Sequence, residues 1–267
     1  MKFEFDPGER IERAYTLPAK LYTGRAVLDQ EKARIFYETW QYVGRIDQIP
    51  GPGCYFTTEV VGEPLIIAKD KAGTLRGFHN VCRHRAGPVA QGAGCRASFQ
   101  CGYHGWTYAL DGRLIGTPEF DGVECFNKDE VGLAAVQVDV WENLIFAKLG
   151  APPNWVSNPT LLEFLGDIPL KTEGLHLAAM SRVERRDYLV DCNWKTYVDN
   201  YLEGYHIPIV HPSLMRELDY NAYATTTGRY HSLQYAPIRS AKPGEATGRR
   251  YTAEEEQTEA LYFWIFP

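Results

Sequence analysis

Two short segments, Cys82-Arg83-His84 and Cys101-Gly102-Tyr103-His104, constrain this chain more than anything else in it. Each offers one thiolate and one imidazole from a tight loop, and sixteen residues separate His84 from Cys101. A zinc finger usually pairs two cysteines at one end and two histidines at the other. Here each loop mixes the two types. Two such loops face to face can give one iron of a [2Fe–2S] cluster both sulfurs, from Cys82 and Cys101, and the other iron both imidazoles, from His84 and His104. Imidazoles in place of thiolates raise the potential of such a centre to roughly −150 to +300 mV. Gly102 and Gly105 let backbone N–H groups approach the sulfides, Trp106 and Tyr108 are placed to shield them, and Asp111-Gly112 offers a hairpin turn directly afterwards. The competing reading is a zinc site, which would contain no acid-labile sulfide.

The rest of the chain is ordinary in bulk. At 267 residues, 45% hydrophobic and 23% charged, it suits one large or two moderate globular domains. A net charge of −6 gives no reason to expect a nucleic-acid partner. Met1 to Arg13 is charged and lacks a signal-peptide core, and no apolar run has the length of a membrane span, so a cytoplasmic protein is expected. In that reducing compartment six cysteines point to metal or redox use rather than a disulfide framework. Cys54, Cys95, Cys125 and Cys192 have no partner at ligand spacing and are expected as ordinary buried cysteines, and His79 as a packing or hydrogen-bonding residue.

Periodicity predicts a helix over 25–40, where Val27, Leu28, Ile35, Phe36 and Trp40 share a face. From Tyr42 to Ala147 the texture is β-like, with runs such as Tyr55–Val61, Pro64–Ala68 and Leu144–Ala147 between Gly/Pro turns. Gly150-Ala151-Pro152-Pro153 is the best linker candidate. Beyond it, Met180–Val190 reads as a strand and Asn193–Tyr205 as a helix ended by Pro208, while Gln257–Pro267 is apolar and β-like.

That helix carries the second constellation, Glu203-x-x-His206 followed by His211. Three-residue spacing makes Glu203 and His206 neighbours on one helix face, and the turn after Pro208 delivers His211. Two histidines so placed are two-thirds of a 2-His-1-carboxylate Fe(II) site with positions open for O2. Glu203 can either ligate the metal or hold a ligating imidazole. A di-iron carboxylate site, using Glu173-x-x-His176 as a second such motif, is the weaker rival, because Pro169 and Gly174 oppose a helix there.

The run Cys82-Arg83-His84-Arg85, Cys101 through Tyr108 and Asp111-Gly112 closely resembles the Rieske domain of ring-hydroxylating, non-haem iron oxygenases. Asn193-Trp194-Lys195, Asp199 through His206, and His211-Pro212 resemble the mononuclear-iron segment of the same α-subunit family. The resemblance covers essentially the whole chain and about the N-terminal two-thirds of a typical member. It implies an α+β protein: residues 1–40 a helical segment packing on the catalytic domain, 41–150 an antiparallel β Rieske domain, and 151–267 the incomplete first part of a helix-grip type α+β catalytic domain. It implies Fe(II) on His206 and His211, with Asn200 behind the ligands. Glu203 then bridges His206 to the His104 position of a neighbouring subunit in a head-to-tail homotrimer. Electrons would come from an NAD(P)H-dependent flavin or ferredoxin reductase, and O2 would hydroxylate or oxidatively demethylate a small organic substrate. Many members carry Asp at the bridge; Glu is shared with those acting on quaternary ammonium compounds. Aromatics such as Tyr220, Tyr223, Tyr235 and Tyr262 can line a ring pocket or a cation–π cage, or simply form core.

The family's third iron ligand is an aspartate well downstream of the histidines. Only 56 residues follow His211, and their sole aspartate, Asp219, lies too close. Three explanations stay open: a fragment, a naturally truncated gene, or completion by Glu203, Glu217 or Asp219. The rival function is an inactive, Rieske ferredoxin-like electron carrier.

Overall fold

Leu65-Ile66-Ile67-Ala68 is buried on both sides, because successive side chains of a strand point to opposite faces. Leu65 and Ile67 enter one core with Val43, Phe56, Val136 and Ile145. Ile66 and Ala68 enter another with Tyr55, Phe78, Trp106 and Tyr108, and that core also holds Cys82 and Cys101. The structure is a computed structural model in which residues 6, 8–150, 158–239 and 259–267 are described. It confirms the α+β class, with an antiparallel sheet-rich part and a mixed helix and sheet part.

Among the described residues, ten strands form the first part: β1 (Gln41–Arg45), β2 (Cys54–Val60), β3 (Glu63–Lys69), β4 (Leu75–His79), β5 (Ala93–Cys95), β6 (Phe99–Gln100), β7 (Thr107–Tyr108), β8 (Leu114–Gly116), β9 (Ala135–Trp141) and β10 (Leu144–Lys148). Seven make a sheet in the order β1-β10-β9-β4-β3-β2-β5, and β6-β7-β8 make a small second sheet. Turn chemistry sets these hairpins. Val61 and Gly62, at φ +47° and +95°, supply the two left-handed residues of the tight β2–β3 turn. Between β3 and β4, the Asp70 carboxylate accepts from the amides of Ala72 and Thr74 and from Arg76 Nε.

By Cα packing the chain divides into two units, residues 36–182 and residues 1–35 with 183–266. The second unit contains a sheet of β11 (Ala224–Thr227), β12 (His231–Pro237) and β13 (Glu259–Ile265), in that order. Of the proposed linker, 151–153 lie outside the described residues. Among the described residues no helix is long and apolar enough to cross a membrane.

Several elements differ from the sequence pattern. The helix expected over 25–40 runs from Arg25 to Glu31 and widens into a π turn over Lys32–Phe36. Trp40 lies beyond it, buried, with its indole N–H donating to the Pro159 carbonyl. Met180–Val190 forms no strand, and Val183 and Leu189 stand almost wholly exposed, because no described segment offers it a ladder. The cysteines also differ. Cys54 and Cys95 face each other across β2 and β5 and form a disulfide, since directly opposed residues of an antiparallel pair bring their Cβ atoms close. Cys125 and Cys192 are exposed thiols rather than buried ones.

Candidate redox and metal sites

The two Cys/His loops share one hydrogen-bond pattern. In the first, Ala86 N–H donates to the Cys82 carbonyl and Cys82 N–H to the Gly87 carbonyl. In the second, Gly105 N–H donates to the Cys101 carbonyl and Cys101 N–H to the Trp106 carbonyl. The fifth residue of each loop is left-handed, Ala86 at φ +60° and Gly105 at φ +71°. The loops also face each other: a Cβ added to Gly87 would stand 3.2 Å from Cys101 Sγ, and the His84 and His104 rings lie 4.7 Å apart.

Burial divides the four side chains by type. Both thiols are buried, His84 is half-buried and His104 is exposed. Trp106 stacks on His84 at 4.8 Å with 9° between the planes, and Phe120 and Phe126 back the indole. The Tyr108 hydroxyl lies 3.3 Å from Cys82 Sγ and accepts from Arg83 N–H. Burial, then the bond to Cys82, pushes the Tyr108 phenol far up, so it stays protonated and donates to the sulfur. His84 titrates below the ordinary histidine value, first through burial and then through the charges of His104 and Arg85. Its Nδ1 is buried without a hydrogen-bond partner, as suits an imidazole nitrogen that ligates a metal. Two buried thiols, an orphaned imidazole nitrogen and a glycine cradle fit a [2Fe–2S] group.

Asn80 carries no motif, yet it shapes the first loop. It is buried, its Oδ1 accepts from the amides of Val89 and Ala90, and its Nδ2 donates to the Ala90 carbonyl. Every polar atom of the side chain is spent on closing that loop. A polar residue just before a ligand was the only sequence hint. His79, one residue earlier, lies 3.6 Å from the Glu63 carboxylate and takes no part in the loop.

In the other unit, Asn193 caps the helix Trp194–Tyr201 by accepting from Lys195 N–H. Glu31 holds this helix start from the N-terminal segment, accepting from Trp194 Nε1 at 2.9 Å and pairing with Lys195 Nζ at 2.6 Å. The helix ends four residues earlier than the pattern suggests. Glu203 and His206 therefore meet across the following turn rather than on a helix face. Pro208 starts the next helix, Ile207–Val210, instead of ending the previous one, since a first-turn residue needs no N–H partner. His206 and His211 flank that single turn of helix, their rings 5.2 Å apart.

Glu203 grips His206 twice: Oε1 lies 2.5 Å from Nδ1, and Oε2 accepts from the backbone N–H at 3.2 Å. Burial works to raise the Glu203 pKa, but the bonds from the His206 ring and nearby amides outweigh it and hold the carboxylate low. Asn200 is exposed and makes no side-chain hydrogen bond among the described residues. Glu217 ends the helix Pro212–Glu217 and Asp219 begins the following turn. Among the described residues no three His, Cys, Asp or Glu side chains converge on one ion, so neither of these nor Glu203 completes a three-donor site with the histidines. The same holds for Glu173, which starts a 3-10 turn, and His176, the left-handed residue between that turn and the next. A Rieske cluster needs only two protein donors per iron, so the loops are unaffected.

Comparisons with known proteins align with both regions. Residues 39–127 match the family "Rieske [2Fe-2S] domain" and residues 177–267 match "Ring hydroxylating alpha subunit (catalytic domain)". Choline monooxygenase from Arabidopsis thaliana chloroplasts is 37% identical, over 99% of this chain and 63% of its own. The carnitine monooxygenase oxygenase subunit of Acinetobacter pittii is 31% identical, over 95% of this chain and 67% of its own. A solved quaternary ammonium Rieske monooxygenase, described in terms of carnitine oxidation and inter-subunit electron transfer, superposes with TM-score 0.80 at 28% identity, over 95% of this chain and 67% of that one. The chain thus spans about six-tenths to two-thirds of the length of the relatives it matches.

Proposed function

Because this chain belongs to the Rieske non-haem iron oxygenase α-subunit family, we propose that it is the oxygenase component, or the larger part of one, acting on a quaternary ammonium small molecule. When bound, the [2Fe–2S] cluster and Fe(II) of this family supply electron transfer and O2 activation. Cys82 and Cys101 hold one side of the cluster in a dry pocket, and His84 and His104 hold the other. Tyr108 keeps a proton directed at the Cys82 sulfur. His206 and His211 hold the mononuclear iron, and Glu203 fixes the His206 tautomer by accepting a hydrogen bond from Nδ1–H, which leaves Nε2 for the metal.

The Glu203–His206 bond is the observation that carries the reading, because an electron carrier has no use for an oriented histidine. We further propose that Glu203 bridges to His104 of a neighbouring subunit in a head-to-tail trimer, and that a separate NAD(P)H-dependent flavin or ferredoxin reductase feeds the cluster in the cytoplasm. The inter-subunit transfer described for the solved relative supports the first part. The quaternary ammonium class rests on the choline and carnitine relatives and on Glu rather than Asp at position 203. Tyr223 and Tyr220 bond to Gln234 and to the Gly204 carbonyl, so both are occupied in packing.

The carrier reading keeps one observation in its favour, the lack of a third donor beside His206 and His211 among the described residues. Iron counting separates the two. The oxygenase reading expects three irons and two sulfides per chain, and His206→Ala then loses one iron while the visible cluster spectrum is unchanged. Two irons in both proteins, with no oxygen-dependent turnover of choline or carnitine in the presence of a reductase, favours the carrier.

A further inference from the structure

The turn that bears Glu203 and His206 is gripped by side chains no motif contains. Gln234 lies on β12, 1% exposed, flanked by Thr225 of β11 and Tyr262 of β13. Its Nε2 donates to the carbonyl of Tyr201, the last residue of the helix, at 2.5 Å. Such C-terminal carbonyls have no partner within their own helix. Its Oε1 accepts from the Tyr223 hydroxyl at 2.6 Å. The Tyr223 ring in turn lies against Gly204, where an added Cβ would meet two ring carbons at 2.8 Å. Tyr220 completes the grip by donating to the Gly204 carbonyl at 3.2 Å. The chain is thus fixed just before Glu203 by Gln234 and just after it by Tyr223 and Tyr220.

We infer that Gln234 and Tyr223 are positioning residues for the metal-binding turn, setting where Glu203 holds the His206 ring. Neither touches His206. Both act through backbone: Gln234 fixes the end of the helix, and Tyr223 fixes the glycine between Glu203 and His206. A neutral amide suits the task because it both donates and accepts, and both halves are used here. This rests on His206 and His211 being the iron ligands proposed above.

The test uses the cluster-loaded 267-residue chain and Co(II) as probe, with affinity measured by equilibrium dialysis and ligand geometry by the EPR spectrum of bound Co(II). Gln234→Leu and Tyr223→Phe are each expected to weaken Co(II) binding by about tenfold or more, the usual scale for partners that orient a ligand, and to broaden the EPR spectrum. A core substitution on the same strand, Leu233→Ala, is expected to lower the melting temperature and leave affinity and spectrum unchanged. Wild-type Co(II) binding in both positioning variants overturns the inference. So does an affinity loss in Leu233→Ala that matches theirs, since affinity then merely tracks stability. His206→Ala is the separate control: if it binds Co(II) as tightly as the wild type, the iron-site reading itself fails.

Discussion

At Ala86 the backbone takes φ +60°, the conformation Gly105 takes in the matching loop at φ +71°. For an L-residue with a Cβ this region costs roughly 1–2 kcal/mol, and glycine gives back roughly 0.4–1 kcal/mol through its freer unfolded chain. Ala86→Gly is therefore expected to stabilise the first cluster loop by about 0.5–1 kcal/mol, seen as a higher midpoint for thermal bleaching of the cluster absorbance. An unchanged or lower midpoint would show that the loop carries no strain at this residue. Tyr108 invites a second substitution. Its hydroxyl donates to Cys82 Sγ and stays protonated, so it favours the more negative, reduced cluster. Tyr108→Phe is expected to lower the reduction potential by on the order of 50–100 mV, the equivalent of one hydrogen bond to a charged acceptor. A redox titration followed by EPR reads this directly, and a potential that stays put or rises would rule it out. At this scale the candidate ligands were legible because cysteine and histidine at these spacings serve little else. Asn80, Gln234 and Tyr223 were not, because each works through backbone groups distant in sequence or unmarked by type.

Among the elements, the strands and turns between Tyr42 and Ala147 followed the sequence closely, whereas the strand expected over Met180–Val190 did not form. Cys54–Val60, Glu63–Lys69 and Leu144–Lys148 lie within a residue or so of the alternating runs, since Gly and Asp turns delimit them locally. The helices followed less well. Asn193–Tyr205 reads as one helix because Leu202, Glu203 and Tyr205 all suit helical structure, yet the chain breaks after Tyr201, where Gln234 takes up the Tyr201 carbonyl. The Cys54–Cys95 pair lay further out of reach, because a separation of 41 residues says nothing about which strands are neighbours. A non-reducing peptide map is expected to recover these two cysteines linked, with Cys125 and Cys192 alone among the exposed thiols labelling freely. Reduction is expected to cost on the order of 2–4 kcal/mol of stability in the residue 36–182 unit, measured by denaturant unfolding. Free labelling of Cys54 and Cys95 in the native, unreduced protein would remove the link.

For the whole molecule, one of the chain's crossings between the two units falls at 182/183. Residues 183–190 follow the division and lack strand or helix, and the segment contains Arg185 and Arg186. Backbone without a ladder or core is where proteases cut first. Limited trypsin treatment of the 267-residue chain is expected to cleave first at Arg185 or Arg186, leaving a brown fragment that retains the cluster. First cleavage at Arg83 or Arg85 instead would mean that the cluster loops open before the junction does.

Sequence alone determined the chemistry of the first site. Two Cys/His loops at that spacing point to four side chains around a [2Fe–2S] cluster, and the Glu203, His206 and His211 pattern points to a second metal. Only the tertiary structure decided how the parts are held. It faced the two loops through Gly87 and Cys101, assigned Glu203 to the His206 ring and backbone, and placed Gln234 and Tyr223 around the turn between them. The physical reason is one of range. Ligand identity is a property of side-chain type, readable within a few residues, whereas orientation is set by hydrogen bonds and contacts between segments that only folding brings together.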